Sequence, residues 1–377
     1  MTPIRVLQLI GSSRRGGAEG VVAAIATERE RERLHSEVGL LERGWLAEEL
    51  TAAGVRVHWF TKRRTLDWPL LMDLTQVIRQ ERPDVIHCHL GTMNLYGCLA
   101  ARLAGRPAIA HVHGVPHDLD LPRRRWVQRQ AWRAARRVVV VSDYVRGMVH
   151  RMGVPARKIE MIPNGVRLDA FQTPKGINGL KQSLGIAEVR PVVGVISRLE
   201  LEKGVDLALN CFEQVRQQLR SAALVIAGDG SQRKPLEEMA ARLRLDGSVR
   251  FLGQVDRTAE VLGIADVVLV PARREAFSLV AIEAMAAGVP VIAWDQQGPQ
   301  EIVIDGETGR LVPAFDVSTM ADATVELLSN AGAACAMGDA GRARVARYYS
   351  LDGMLEKLEH LYASLCEENC DGKRGRQ

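Results

Sequence analysis

Two successive series of short Val/Ile-rich runs, each run followed by a longer amphipathic stretch, constrain this 377-residue chain more than any other feature. Parallel strands covered by crossover helices read this way, because burial on both faces leaves strands uniformly apolar while helices keep a polar stripe. Expected strands in the first half are Arg5 to Ile10, Val55 to Phe60, Asp84 to Cys88, Ala108 to Val112 and Arg137 to Val141. In the second half they are Val192 to Ile196, Leu224 to Ala227, Val249 to Leu252, Val267 to Val270 and Val289 to Trp294. The length suffices for two domains with a full core each. Turn formers and weak apolar periodicity from Phe171 to Gly179 mark the linker, so a first domain covers 1–172 and a second 173–348, with a last helix and polar tail over 349–377. The expected class is α/β, two Rossmann-like domains facing across a cleft. Open parallel sheets bind ligands beyond the carboxyl ends of their strands, and the motifs below do fall just after strands.

Charge is unevenly shared. Residues 1–172 hold 27 Lys+Arg against 17 Asp+Glu, whereas the remainder holds 23 against 28. A basic first half favours an anionic partner such as a membrane surface or an acidic substrate. No nucleic-acid recognition pattern accompanies it. Cys88, Cys98, Cys211, Cys335, Cys366 and Cys370 are scattered, without C-x-x-C pairs, and read as free thiols of a reducing compartment. No apolar run reaches the ~18 residues of a membrane span. The expected location is the cytoplasm.

The densest chemistry lies from Arg274 to Pro290. From Leu279 to Ala287 every residue except Glu283 is apolar, so Glu283 sits on a largely buried helix and needs a ligand or hydrogen-bond partners. Gly288 suits the helix C-terminus, which leaves Glu275 in the loop entering the helix. That loop aims backbone N–H groups at whatever lies above it, and a helix N-terminus attracts phosphate. Earlier, the strand ending at Ile196 delivers Arg198 and Lys203 into a loop, where fixed cations can neutralise a diphosphate leaving group without a metal.

The spacing Glu275-x7-Glu283, preceded by Arg198-x4-Lys203-Gly204, resembles the retaining glycosyltransferases of the GT-B type, family four. The resemblance spans nearly the whole chain and includes Gly228-Asp229-Gly230, Phe251-Leu252-Gly253 and Pro163-Asn164-Gly165-Val166. It implies that Glu275 contacts the donor sugar and Glu283 the ribose hydroxyls. The amides of Phe277, Ser278 and Leu279 would hold the diphosphate. It also implies that Gly16 and Gly17, in the loop after the first strand, close over the donor phosphate, and that His113 reaches the sugar near its reacting carbon. The last helix is implied to return to the first domain. The expected donor is a nucleoside-diphosphate sugar, most simply a UDP-sugar, with no cofactor. The expected acceptor is a saccharide or lipid-linked saccharide of cell-surface polysaccharide or lipopolysaccharide synthesis. Departures stand at Ala276 and Ser278, where the family often has Gly, and at Gln297 to Glu301, where Gly-Gly-x-x-Glu is usual.

Three further patterns remain. His87 and His89 hint at a metal, but strand alternation is expected to send them to opposite faces, and metal is discounted. Asp118-Leu119-Asp120 imitates a metal-binding D-x-D pair but stands in a loop of a different fold type. The stretch Leu121 to Arg137, rich in Arg and carrying Trp126 and Trp132, reads either as a solvated face with both indoles inward or as a helix lying on an anionic bilayer. Rival functions are a glycoside hydrolase using the two glutamates, a sugar-nucleotide epimerase and a non-catalytic sugar-nucleotide binder.

Overall fold

The computed structural model describes residues 3–28, 33–64, 66–115, 121–171, 177–188 and 190–374. It divides into two compact units, Met1–Gly165 with Leu351–Gln377, and Val166–Ser350. Strands of the first are β1 (Ile4–Ile10), β2 (Leu34–Leu40), β3 (Val57–Trp59), β4 (Val85–His89), β5 (Ala108–Val112), β6 (Arg137–Val140) and β7 (Ile159–Met161). They form one parallel sheet in the order β3-β2-β1-β4-β5-β6-β7. Strands of the second are β8 (Val192–Ile196), β9 (Ala223–Ala227), β10 (Val249–Gly253), β11 (Val267–Val270), β12 (Val291–Trp294) and β13 (Gly309–Val312), ordered β10-β9-β8-β11-β12-β13. Each unit is a doubly wound Rossmann-like sheet, as the alternation of runs predicts.

Three strands escape the apolar pattern, each for a physical reason. In β2 only Glu37 to Leu40 are buried, the first of them an acid, and Gly39 leaves the space that Leu9 and Phe60 fill; a Cβ there would lie 2.6 and 2.8 Å from their side chains. The strand is specified by its seven-residue register against β1 rather than by its own hydrophobicity. β7 and β13 are short sheet edges, half covered, where one-sided burial weakens the signal.

The domain boundary falls at Gly165/Val166 rather than at 172/173. The Val166 N–H donates to the Tyr349 carbonyl at 2.9 Å and Val166 bridges Ser350, which ties residues 166–171 to the second unit. Most of the expected linker, residues 172–176, lies outside the described residues. The helix Leu351–Arg374 belongs to the first unit. Its Leu355, Leu358, Tyr362 and Leu365 are fully buried with Val85, Ile109 and Val139 of the sheet and with Val21 and Ile25 of the helix Gly17–Thr27. Burying each such leucine contributes about 2 kcal/mol. Glu368 at its far end accepts hydrogen bonds from Arg136 at 2.8 Å and from Arg137.

In the second unit the helix Leu279–Ala286, which bears Glu283, is held by the helix Ala331–Tyr348. Contact is close because Gly338 faces the chain at Gly288: a Cβ on Gly338 would meet the Gly288 carbonyl oxygen at 1.9 Å. Helix propensity favours Ala over Gly by about 1 kcal/mol. The clash outweighs it, and Gly338→Ala is expected to destabilise the unit by about 2 kcal/mol or more. Gly20, in a helix with nothing within 4 Å of its would-be Cβ, is the control, and Gly20→Ala is expected to leave stability equal or higher. Thermal unfolding of both variants measures this, and an unchanged midpoint for Gly338→Ala contradicts the packing account.

Candidate functional site

In the second unit the chain leaves β8 toward one edge of the sheet and, after β10, returns to β11 on the other side of β8. The loops that follow β8 and β11 therefore diverge at this switch point, where such sheets bind ligands. After β8 come Ser197 to Leu199, a single 3-10 turn at Leu201–Lys203, and Gly204 at φ +66°. A Cβ on Gly204 would lie 2.0 Å from the Pro271 carbonyl oxygen, so only glycine lets the two loops touch. Lys203 Nζ then donates to Glu275 Oε2 at 2.8 Å, both side chains being largely buried.

Arg273 fastens the same two loops. Its N–H donates to the Glu202 carbonyl at 2.8 Å, and one guanidinium nitrogen to the Leu201 carbonyl at 2.8 Å. The guanidinium also grips Asp206 through two bonds of 2.7 and 2.6 Å. This bidentate pair is short and directional, so it fixes the loop geometry that holds Lys203 against Glu275. From the loop after β12, Gly298 at φ +93° approaches the Glu275 carbonyl, where a Cβ would stand 2.5 Å away. Arg273 and Asp206 were not singled out in the sequence, and Gly298 only as part of the segment Gln297 to Glu301. Asp206, two positions after Gly204, offered the available signal.

Arg198 does not join Lys203. It donates to Glu202 Oε1 at 2.8 Å and is more than half exposed. Of the two candidate diphosphate ligands, the structure brings Lys203 to Glu275, the candidate sugar contact, and holds Arg198 on a neighbouring acid. Ser278 is the N-cap of the helix Leu279–Ala286, its Oγ accepting from Ala281 N at 3.2 Å. Among the described residues, no protein acceptor meets the N–H groups of Phe277, Ser278, Leu279 and Val280. Phe277 packs edge-on against Tyr349 with ring centroids 5.8 Å apart, which steadies this turn. Glu283 is half-buried as a residue, but its carboxyl is enclosed. Burial pushes it up to about 7, partly opposed by a hydrogen bond from Thr258. Gln297 is exposed.

The first unit repeats the logic. Its switch point lies between β1 and β4. The loop after β1 is anchored rather than loose: buried Ser13 accepts from Leu46 N at 3.1 Å through its carbonyl and from Ala47 N at 3.0 Å through Oγ. Gly16 is the N-cap of the helix Gly17–Thr27, and a Cβ on it would meet the Glu19 carboxylate at 2.5 Å.

Around the ends of β4 and β5 four imidazoles gather. His87 and His89 do not point to opposite faces, as expected. Positions i and i+2 of a strand share a face, and the two ring centroids are 4.3 Å apart. His111 and His113 stack beside them at 3.9 Å. His87, His89 and His111 are fully buried. Burial pushes His87 and His113 down to about 3 and lowers His89 and His111 as well, so all four are neutral. Among the described residues, His87, His89 and His111 form a group of metal-ligand composition, with one ring nitrogen each within 4.8 Å of the others. Several of those nitrogens are already engaged: His89 Nδ1 with His113 Nε2 at 2.8 Å, His89 Nε2 with Gln8 Oε1 at 2.8 Å, and His87 Nδ1 with Tyr362 Oη at 2.7 Å. Asp118-Leu119-Asp120 lies outside the described residues.

Comparison with known proteins agrees over both units. Residues 177–344 match the family model described as glycosyl transferases group 1, and residues 15–170 match that of glycosyltransferase family 4. The chain is 35% identical over 272 residues to a GDP-mannose-dependent alpha-(1-6)-phosphatidylinositol monomannoside mannosyltransferase of Mycobacterium tuberculosis, covering 68% of this chain and 70% of that protein. It is 25% identical over 314 residues to the N-acetyl-alpha-D-glucosaminyl L-malate synthase of Bacillus anthracis, with 81% of each chain covered. Its fold is that of Anabaena HepE, solved with UDP-glucose, at a TM-score of 0.88 and 24% identity over 96% of this chain and 100% of that one. With two Rossmann-like sheets and both family models matched in order, the chain belongs to the group 1, family 4 glycosyltransferases of the GT-B type.

Proposed function

We propose that the protein transfers a hexose from a nucleoside-diphosphate sugar to a saccharide or lipid-linked acceptor with retention of anomeric configuration. The observation that carries this reading is the row of N–H groups from Phe277 to Val280 that meet no protein acceptor among the described residues, beginning two residues after Glu275 of the Lys203–Glu275 pair. Backbone donors at a helix N-terminus beside a fixed cation suit a diphosphate, whose negative charge grows as the bond to the sugar breaks. Lys203 then exchanges part of its contact with Glu275 for the phosphate, and Glu275 gains acceptor capacity for sugar hydroxyls. Glu283 receives the ribose. Retention follows a front-face route in which the departing phosphate oxygen takes the acceptor hydroxyl's proton as the new glycosidic bond forms. No metal enters this scheme. His113, Gly16 and Gly17 keep the donor-side roles that the family resemblance implies. The M. tuberculosis relative is named for GDP-mannose, so GDP-mannose stands beside the UDP-sugars as the donor to compare; the sugar that raises the unfolding midpoint identifies the base.

Lys203→Ala and Glu275→Ala are each expected to lower kcat/KM more than about a hundredfold. Near-normal transfer by either variant contradicts the assignment.

Glu283 gives a pH signature. Its folded carboxyl ionises near 7 rather than in the ordinary range near 4.5. Folding therefore favours the protonated form, so this group's effect on stability worsens as pH rises from about 4.5 to 7. Ribose hydroxyls donate best to the ionised form. Nucleotide affinity is thus expected to fall as pH drops below about 7, approaching tenfold per unit, and Glu283→Gln should flatten that slope. Calorimetric titration with the nucleoside diphosphate across this range measures both, and a wild-type slope of zero contradicts the ribose role.

A peripheral membrane contact is proposed for the basic helix Pro122–Ala134. The two indoles part ways: Trp132 is fully buried, whereas Trp126 is 60% exposed beside exposed Leu121 and Arg123 to Arg125. An exposed indole among arginines supports insertion at an anionic headgroup layer. Co-sedimentation with phosphatidylglycerol vesicles at low salt is expected to exceed that with phosphatidylcholine vesicles, and Trp126→Ser should reduce it. Equal sedimentation with both lipids contradicts the contact.

A further inference from the structure

The four imidazoles of the first unit form two directed hydrogen-bond chains, and one of them ends on His113. Gln8 of β1 places Oε1 2.8 Å from His89 Nε2. An amide oxygen accepts only, so His89 carries its proton on Nε2. His89 Nδ1 is then a lone pair, and the ring nitrogen 2.8 Å away, His113 Nε2, must bear the proton between them. His113 is left with an unprotonated Nδ1, which is buried and, among the described residues, has no protein partner.

The orientation of the Gln8 amide decides this direction, and its other neighbour fixes it. Gln8 also lies beside Tyr362, where it partly opposes the upward push of burial on that phenol. Tyr362 has one proton, and His87 Nδ1 at 2.7 Å is positioned to receive it. The phenol oxygen then presents its lone pairs to Gln8, which favours N–H rather than C=O on that side. A flipped amide would set two acceptors against each other in a dry interior. The second chain runs in parallel, from Tyr362 through His87 to His111 Nδ1 at 3.2 Å. Burial keeps every ring neutral, so no imidazolium blurs the donor and acceptor roles.

Backbone strain marks the same place. Leu90, directly after His89, holds φ +62°, a left-handed conformation that a leucine keeps only where its surroundings dictate it. The turn that aims His89 is therefore held by tertiary structure against local preference.

We infer that Gln8 and His89 are positioning residues that fix His113 as its Nε2–H tautomer, so that Nδ1 offers an acceptor lone pair to a hydroxyl of the bound donor sugar. The hydroxyl contact rests on the proposed function; the tautomer does not. A neutral acceptor at that point selects for a hydroxyl over a carbonyl or phosphate oxygen, which gives the first unit a specificity element in its own core.

Long-range proton–nitrogen correlation spectra of the ring nitrogens, with His113 assigned through His113→Asn, read the tautomer in the ligand-free full chain. The wild type is expected to show a protonated Nε2 and an unprotonated Nδ1 at His113. Gln8→Leu removes the acceptor and should replace this with averaged shifts, whereas Gln8→Glu, which keeps an accepting oxygen, should restore the wild-type pattern. A wild type protonated at Nδ1, or a Gln8→Leu spectrum unchanged at His113, overturns the inference. So does stoichiometric zinc in the purified protein on the three buried imidazoles, since the ion would take nitrogens that the chains require. If Gln8→Leu does not fold, His89→Gln provides the same readout at His113. Should the tautomer stand as stated while His113→Ala transfers sugar normally, the donor-contact reading fails and the relay does not.

Discussion

The strand order of each sheet is the constraint on which the rest depends. Beginning each unit at its middle strand and building outward in both directions forces the loops after β8 and β11, and those after β1 and β4, to separate at the sheet's carboxyl edge. Backbone groups and side chains are exposed there without a strand partner, and charged residues can be placed there at little expense to the core. Lys203 and Glu275 come from loops 72 residues apart in sequence and meet at 2.8 Å only because β8 and β11 are neighbours. Gln8, His89 and His113 meet because β1, β4 and β5 are.

The two switch points are furnished differently. The second unit carries ions and a bare helix N-terminus, with Arg273 and Asp206 as fasteners, an arrangement able to receive a large, highly charged group. The first carries neutral imidazoles in a dry interior, which can read hydroxyl positions but cannot neutralise phosphate.

Much of this was legible in the chain. Ten strands follow from apolar runs, since buried parallel strands must be apolar on both faces, and Glu283 betrays itself as the single acid in an apolar helix. What escaped reading depended on partners distant in sequence. β2 is half polar and is specified by its register on β1. Ser13 and Arg273 are ordinary loop residues, and Asp206 an ordinary acid in the first turn of a helix, until the backbones they fasten are side by side. The misplacement of His87 and His89 on opposite faces was an error of period, because residues two apart on a strand point the same way. Arg198, paired with Glu202 instead of standing with Lys203, shows that spacing within a loop does not determine which acid a cation meets.

Crystals of the protein grown with an intact nucleoside-diphosphate sugar test the central claim most directly. The account places the two phosphates within hydrogen-bond distance of the N–H groups of Phe277 to Val280 and of Lys203 Nζ, with the ribose at Glu283. A diphosphate bound away from that turn, with Lys203 still closed on Glu275, would contradict it.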